Sequence, residues 1–227
     1  MHISIAIDGP SGAGKSSVAK ELATRLDIIH LDTGAMYRAF ALQVMEEGID
    51  PCDEQALTWL TQITTLAVSF KGGVQQTLIN GKDISDRLRT PGIDMVASSI
   101  AKFANVRRFM VRMQQELAAG NSMIIDGRDI GEIVLPEATL KVFLTASSQV
   151  RAKRRYDELS ERGESVRYDD ILEDVIQRDL QDSTRIITPF RPAADAKVVD
   201  SSSLTQAEVV EVIEQLLYER LEGKDNL

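Results

Sequence analysis

The sequence predicts an α/β fold with a doubly wound, five-stranded parallel sheet, and three observations support this prediction. The chain opens with a short apolar run, a glycine-rich turn and an amphipathic stretch, at residues 3–26. Further short apolar runs recur along the chain, each followed by helical material, which is typical of a parallel sheet covered by helices. A length of 227 residues suits one core domain with an inserted subdomain better than two full domains.

The predicted elements alternate in a regular order. The strands are short apolar runs, at residues 3–7, 28–31, 123–125, 140–144 and 197–199. The helices carry amphipathic patterns, at residues 15–26, 33–47, 93–118 (two helices), 147–182 and 205–221. Gly48 ends the second helix and Gly163 interrupts the charged stretch at 147–182, as glycine does at helix ends.

Residues 50–90 depart from this alternation. After a helical stretch at 54–65, two strand-like runs at 66–70 and 76–80 flank the turn at 71–73. Two β-runs around a Gly-Gly turn indicate an antiparallel hairpin. We therefore predict a small β insertion, which forms a subdomain of the core.

Charge and composition exclude several classes of function. The net charge is −9, with 26 Lys and Arg against 35 Asp and Glu, and aromatic residues make up only 5%. Such a chain is expected to bind neither nucleic acid nor an anionic membrane. Arginine nevertheless outnumbers lysine by 17 to 9. Because guanidinium groups form bidentate hydrogen bonds with phosphate, this excess of arginine favours small phosphorylated ligands.

Cysteine and histidine are too scarce for several kinds of site. Cys52 is the single cysteine, and His2 and His30 are the two histidines. An intrachain disulfide, a multi-histidine zinc site and a histidine-based triad are therefore excluded. The first residues lack a basic segment and include Asp8, so we expect no signal peptide and a cytoplasmic protein.

Residues 9–16 match the phosphate-loop pattern G-x-x-x-x-G-K-[ST] at every fixed position, between a predicted strand and a predicted helix. The nucleotide-binding residues predicted here are Gly9, Pro10, Ser11, Gly12, Ala13, Gly14, Lys15, Ser16 and Ser17. Backbone N–H groups of such a loop surround phosphate, the lysine reaches the β- and γ-phosphates, and the Ser16 hydroxyl is offered to Mg²⁺. Motifs of GTPases and ABC ATPases are missing, which favours a small-molecule kinase that uses ATP and Mg²⁺.

Charged clusters follow two predicted strands, where ligands of open α/β sheets bind. Thr33 is predicted to cap a helix, and Arg38 lies one turn and a residue further on. A phosphate site and ordinary capping are equally supported here. Asp126 has the position of the second acid of phosphate-loop enzymes, which holds Mg²⁺. Arg128 and Asp129 follow it into the crevice.

The region 151–185 is rich in arginine. Arg151, Arg154 and Arg155 share a predicted helix, and Arg178 and Arg185 flank Asp182. Clustered arginines in an acidic protein suit a mobile flap that closes over phosphate and excludes water. The alternative is a solvated helical face, which is common for charged runs.

With these clusters, the chain resembles the bacterial cytidylate kinases, a branch of the nucleoside monophosphate kinases. The resemblance covers residues 3–221 and depends on motifs at residues 7–15, 32–38, 84–90, 126–131 and 178–179. It implies one phosphate-loop kinase domain over 1–227, with a monophosphate-binding region at about 33–118, a β insertion at about 50–90 and a short helical lid at about 151–167. It further implies a monomer with no obligate protein partner.

The resemblance also implies roles for individual residues. The acceptor phosphate would meet Thr33, Arg38, Arg128 and Arg185. Cytosine would meet Ser98, Arg107 and Asp129, and the sugar would meet Arg178 and Asp182. Lys15 and the lid arginines would stabilise the transferred group, with Arg155 as the preferred lid residue and Arg151 stacked on adenine.

The implied reaction is ATP-dependent phosphorylation of CMP and dCMP to CDP and dCDP. Two alternatives stay open from sequence: a kinase for AMP, UMP or dTMP, and a regulatory module that binds one nucleotide. The arginines on the acceptor side favour a kinase, because a switch needs only one nucleotide site.

Overall fold

The structure is a computed structural model that describes residues 2–183 and 190–225, and its side chains over 2–180 and 190–223. The strands are β1 (Ser4–Asp8), β2 (Ile29–Asp32), β3 (Leu66–Lys71), β4 (Val74–Ile79), β5 (Lys82–Asp83), β6 (Met123–Gly127), β7 (Leu140–Thr145) and β8 (Lys197–Asp200). The helices are α1 (Lys15–Leu26), α2 (Thr33–Glu46), α3 (Glu54–Ile63), α4 (Ile93–Ile100), α5 (Ala104–Ala119), α6 (Ser148–Glu161), α7 (Tyr168–Ser183) and α8 (Gln206–Asp225).

The main sheet has five strands in the order β2-β6-β1-β7-β8, which confirms the predicted fold class and strand number. β1 runs parallel to β7, and β7 runs parallel to β8. Ile5, Ala6 and Ile7 are fully buried on β1. A continuous apolar run of this kind is expected for a strand covered on both faces. The register pairs Asp8 with Phe143, so Gly9 leaves the sheet beside Leu144.

The chain divides into two compact units. The first comprises Met1–Asp27 and Ile124–Leu227, and the second comprises Ile28–Met123. In the first unit, α1 packs against α8, and α6 and α7 pack against each other as a helical hairpin. The predicted lid at 151–167 therefore consists mostly of the continuous helix α6, and residues 162–167 connect it to α7.

The second unit contains α2 at its centre, in contact with α4, α5 and β4. Phe40 of α2 lies 5.7 Å from Phe109 of α5 between ring centroids, in the core of this unit. The strands β3 and β4 form the hairpin predicted from sequence, and the short strand β5 extends it to three antiparallel strands. The unit begins a few residues before the predicted boundary at 33 and ends a few after the one at 118.

Two local elements differ from the predictions. A π-helical turn, Ile130–Val134, follows β6, and the sequence analysis predicted no element there. The N-cap of α2 is Asp32, whose carboxylate accepts a hydrogen bond from the Ala35 N–H at 2.9 Å. The predicted N-cap role of Thr33 is therefore wrong, and Thr33 is the buried first residue of the helix. No helix in the described part of the chain is long and apolar enough to span a membrane.

Candidate active site

The phosphate loop leads directly into α1. Gly14 occupies the N-cap position with φ of 92°, and no side chain in the described residues caps the helix. The first N–H groups of α1 therefore remain available to an anion, and the helix dipole favours negative charge there. Gly12 has φ of 77°, and a Cβ at this position would lie 3.0 Å from the Cβ of Arg151. Glycine thus allows α6 to lie close against the loop.

Cationic side chains hold the carbonyl groups of this loop. The bonds run from Arg128 to the Gly9 oxygen (2.8 Å), from Lys15 to Pro10 (2.9 Å), from Arg151 to Ser11 (3.1 Å) and from Arg154 to Ala13 (3.3 Å). Because the N–H and C=O groups of a peptide point in opposite directions, holding the carbonyls fixes where the N–H groups point. These four bonds therefore fix the conformation of the loop.

Arg151 is a buried structural part of this arrangement. Its side chain is 5% exposed, and it donates two hydrogen bonds to the Asp179 carboxylate, at 3.0 and 2.5 Å. Besides these and the bond to Ser11, its Nε donates to the Ala146 carbonyl at 2.9 Å. The predicted stacking of this guanidinium on adenine therefore does not fit this structure, because the group is enclosed and already paired.

Arg154, rather than Arg155, reaches the phosphate loop. Besides Ala13, its guanidinium contacts the Ser201 carbonyl at 2.7 Å, and the buried Ser201 hydroxyl lies 3.2 Å from the Ala13 oxygen. Arg155 is exposed and pairs with Glu158 at 2.9 Å. The i, i+3 and i, i+4 spacings alone could not show which of these arginines faces the loop.

The surroundings of Lys15 lower the pKa of its ammonium group from 10.5 to about 7. The largest cause is loss of hydration, and the next is repulsion by the Arg128 guanidinium. Asp126 and Asp8 act in the opposite direction, since their negative charges favour the protonated lysine. A phosphate chain at this position would supply further negative charge and raise the pKa again.

We therefore expect binding of MgATP at pH 8 to be accompanied by uptake of up to about one proton, because the lowered pKa leaves Lys15 largely neutral in the free protein and the phosphates restore its charge. Calorimetric titrations in buffers of different ionisation enthalpy measure this uptake. The Lys15→Met variant should show none. An equal heat in all buffers for the wild-type chain would contradict the expectation.

Ser16 and Asp126 form an oxygen pair suited to Mg²⁺. The Ser16 hydroxyl donates to the Asp126 carboxylate at 2.7 Å, and Asp126 is buried at the end of β6. No group of three or more His, Cys, Asp or Glu side chains in the described residues could hold a metal ion by itself. Mg²⁺ commonly uses one or two protein oxygens together with substrate phosphates, so this pair fits the ion.

Asp8 is a functional candidate that the sequence predictions missed. Its buried carboxylate accepts the Ile130 and Gly131 N–H groups, both at 2.8 Å, and so fixes the turn after Arg128 and Asp129. Burial raises the pKa of Asp8 to about 6, although these two bonds oppose the shift. The sequence feature that could have identified Asp8 is an acidic residue at the end of an otherwise apolar strand.

The remaining predicted residues of the first unit occupy α7 and the turn after β6. Arg128 is half-buried and its guanidinium lies 5.4 Å from the centroid of the Phe190 ring. Asp129 precedes the π-helical turn, and Arg178 is half-buried on α7 beside Asp179. Arg185 and the side chain of Asp182 lie outside the described residues.

In the second unit, Thr33 and Arg38 lie on the first turns of α2. Arg38 pairs with the Asp32 carboxylate at 2.9 Å and lies 3.9 Å from a carboxylate oxygen of Asp94. Ser98 is half-buried on α4, and Arg107 is 8% exposed on α5.

Comparisons with known proteins point to one family. A family model described as cytidylate kinase matches residues 5–219. A cytidylate kinase of Caldicellulosiruptor saccharolyticus is 45% identical over 216 residues, which cover 95% of this chain and 96% of that protein. A cytidylate kinase of Citrifermentans bemidjiense is 44% identical, with coverage of 97% and 95%.

Among solved structures, the fold is similar to that of an uncharacterised protein from Eubacterium ventriosum. The TM-score is 0.53 at 13% identity, with 95% of this chain and 98% of that chain covered. At this identity the similarity extends to the fold alone.

Proposed function

We propose that this chain, which belongs to the cytidylate kinase family, transfers the γ-phosphoryl group of ATP to CMP and dCMP. The observation that carries the proposal is the phosphate loop, whose carbonyl groups are held by cationic side chains. This arrangement supports binding of a nucleoside triphosphate at the N-terminus of α1. The family relationship supports a pyrimidine monophosphate as the acceptor.

On the donor side, residues 9–17 would surround the phosphates, and Lys15 would contact the β- and γ-phosphoryl groups. Ser16 and Asp126 would hold Mg²⁺, which when bound neutralises part of the charge on the transferred phosphate. Arg151 and Arg154 keep the loop in position from α6. Arg155 is free to leave its exposed pair with Glu158, and we assign it to the transferred group in a closed lid.

On the acceptor side, the assignments divide between the two units. In the second unit, we assign Thr33 and Arg38 to the CMP phosphate, and Ser98 and Arg107 to cytosine. In the first unit, we assign Arg128 and Arg185 to the phosphate, Asp129 to cytosine, and Arg178 and Asp182 to the sugar. The matching motif positions support these roles.

The chemistry of cytosine supports this choice of base-reading groups. Its N4 amino group donates a hydrogen bond, which the Asp129 carboxylate can accept, and its N3 and O2 accept bonds from Arg107. Uracil has the opposite polarity at positions 4 and N3. It would leave buried polar groups unpaired, so a strong preference for cytosine follows.

The proposed step is in-line displacement at the γ-phosphorus. A phosphate oxygen of CMP forms the new bond, the bond to the β,γ-bridging oxygen breaks, and ADP leaves with that electron pair. The attacking oxygen is already anionic, so no general base is needed to remove a proton. Lys15 and the arginines position the two phosphates and stabilise charge on the transferred group.

An ADP-release assay with MgATP and a panel of nucleoside monophosphates tests the proposal. We expect strong turnover with CMP and dCMP, weak turnover with UMP and none with AMP. Turnover with another acceptor instead would overturn the roles of Ser98, Arg107 and Asp129 while keeping a kinase.

Binding stoichiometry separates a kinase from a regulatory module. With a non-hydrolysable ATP analogue and CMP, a kinase should show one site for each nucleotide. Binding of the ATP analogue alone, without turnover of any acceptor, would contradict the proposal and favour a regulatory module. For the cellular setting, the single cysteine supports a cytoplasmic protein, and we further propose that it acts as a monomer.

A further inference from the structure

Gln75 of the β insertion is bonded to the backbone at the start of α2. Its side-chain oxygen accepts the Asp32 N–H at 2.8 Å, and its side-chain nitrogen donates to the Asp32 carbonyl at 3.2 Å. Gln75 thus pairs with both the backbone N–H and the backbone C=O of Asp32, as a neighbouring strand would do. These two bonds fix the orientation of the Gln75 amide. The reverse orientation would place its NH₂ group against the Asp32 N–H and its oxygen against the Asp32 carbonyl.

Asp32 is the residue that orients the beginning of α2. Its carboxylate caps the helix through the Ala35 N–H at 2.9 Å and pairs with Arg38, also at 2.9 Å. Thr33 follows it directly. A shift of the Asp32 backbone would therefore move Thr33, the Arg38 guanidinium and the first N–H groups of the helix together.

The bonds continue from Gln75 into the segment around Ser85. Gln75 also donates to the Thr77 hydroxyl at 3.3 Å, and the Ser85 hydroxyl accepts the Thr77 N–H at 2.9 Å. The Ser85 hydroxyl in turn donates to the Asp83 carboxylate at 2.6 Å. Ser85 belongs to the motif at 84–90, for which the proposed reaction supplies no direct role.

We propose that Gln75 is a positioning residue, through which the β insertion fixes the start of α2 in the geometry that binds the acceptor phosphate. This inference rests on the proposed assignment of Thr33 and Arg38 to that phosphate. Truncation of Gln75 leaves the Asp32 N–H and carbonyl without these partners. The affinity for CMP then falls, because part of the binding energy is used to reorder the helix start.

The neighbouring residue Gln76 provides a matched control. Successive side chains of β4 point to opposite faces, so Gln75 contacts the Asp32 backbone whereas Gln76 lies 3.5 Å from the Ser69 hydroxyl of the hairpin. Both glutamines are half-buried on the same strand. The two alanine variants therefore remove the same atoms from the same element, and only one of them affects Asp32.

The experiment compares Gln75→Ala and Gln76→Ala in the full chain by steady-state kinetics with CMP and MgATP. We expect Gln75→Ala to raise KM for CMP about tenfold, which corresponds to about 1.4 kcal/mol, with KM for ATP changed less than about twofold. Gln76→Ala should change neither value. An unchanged KM for CMP in Gln75→Ala, or an equal rise in both KM values, would overturn the proposal.

Two further variants separate failure of this inference from failure of the proposed function. Arg38→Ala alone tests the phosphate assignment, since an unchanged KM for CMP would contradict it and the positioning role together. If Arg38→Ala weakens CMP binding and Gln75→Ala does not, only the positioning role fails. The double variant should weaken CMP binding by less than the product of the single effects, because both act through the same helix start.

Gln75→Glu tests the inference if Gln75→Ala does not fold. Glutamate retains an acceptor for the Asp32 N–H but loses the donors to the Asp32 carbonyl and Thr77. It should therefore raise KM for CMP and leave KM for ATP unchanged.

Amide exchange of Asp32 should accelerate in Gln75→Ala and stay at the wild-type rate in Gln76→Ala, and the reverse order would contradict the positioning role.

Discussion

Lys15→Met should lower the turnover number about a thousandfold, the largest kinetic effect that we expect from a single substitution. The ammonium group donates to the Pro10 carbonyl within the phosphate loop, and our proposal assigns it to the β- and γ-phosphoryl groups. Methionine keeps the length and apolar stem of lysine, so the packing around α1 is preserved. The loss should therefore fall mainly on the chemical step, which single-turnover quench experiments measure directly.

Lys20→Met is the control for this substitution, because Lys20 is exposed on the same helix α1. We expect Lys20→Met to retain the wild-type rate of phosphoryl transfer. Thermal unfolding of both variants distinguishes a catalytic defect from a folding defect. A rate within about threefold of wild type for Lys15→Met would show that this lysine does not stabilise the transferred group.

Local patterns in the sequence were sufficient for the fold class and for the phosphate loop. The strand, loop and helix at residues 3–26 are contiguous, and their apolar and glycine positions determine them locally. The β3–β4 hairpin likewise follows from a Gly-Gly turn between two β-runs. The boundary of α2 required tertiary information, because both Asp32 and Thr33 are suitable caps and only the structure shows which side chain bonds to Ala35.

The contacts that organise the loop could not be predicted in this way. Arg128 and Arg154 reach loop carbonyls from more than one hundred residues away along the chain. A charged residue on a helix has the same local pattern whether it faces solvent or another segment. Arg151 and Arg155 illustrate this, since they are four residues apart on α6, yet the first is buried against Asp179 and the second is exposed.

Gly9→Ala should be the most damaging substitution for the stability of the folded chain. Gly9 follows β1 where this strand lies beside β7, and a Cβ at this position would lie 2.0 Å from the Leu144 carbonyl oxygen. That carbonyl belongs to a buried strand and cannot rotate away as a side chain would. Either β7 or the loop must move, and we expect a loss of about 3 kcal/mol in the free energy of unfolding.

The same substitution should weaken ATP binding in whatever protein remains folded, because the Gly9 carbonyl is the acceptor for Arg128 at 2.8 Å. Gly48→Ala is the matched control: Gly48 also has a positive φ, of 64°, but a Cβ there would have no neighbour within 4 Å. The control therefore carries only the conformational cost of a left-handed alanine, about 1 kcal/mol. Denaturant unfolding of both variants measures the difference, and equal losses would show that the contact with Leu144 relaxes at little cost. ATP affinity then shows which segment moved, since a loop displaced from Arg128 would bind ATP more weakly, whereas a displaced β7 would leave ATP binding unchanged.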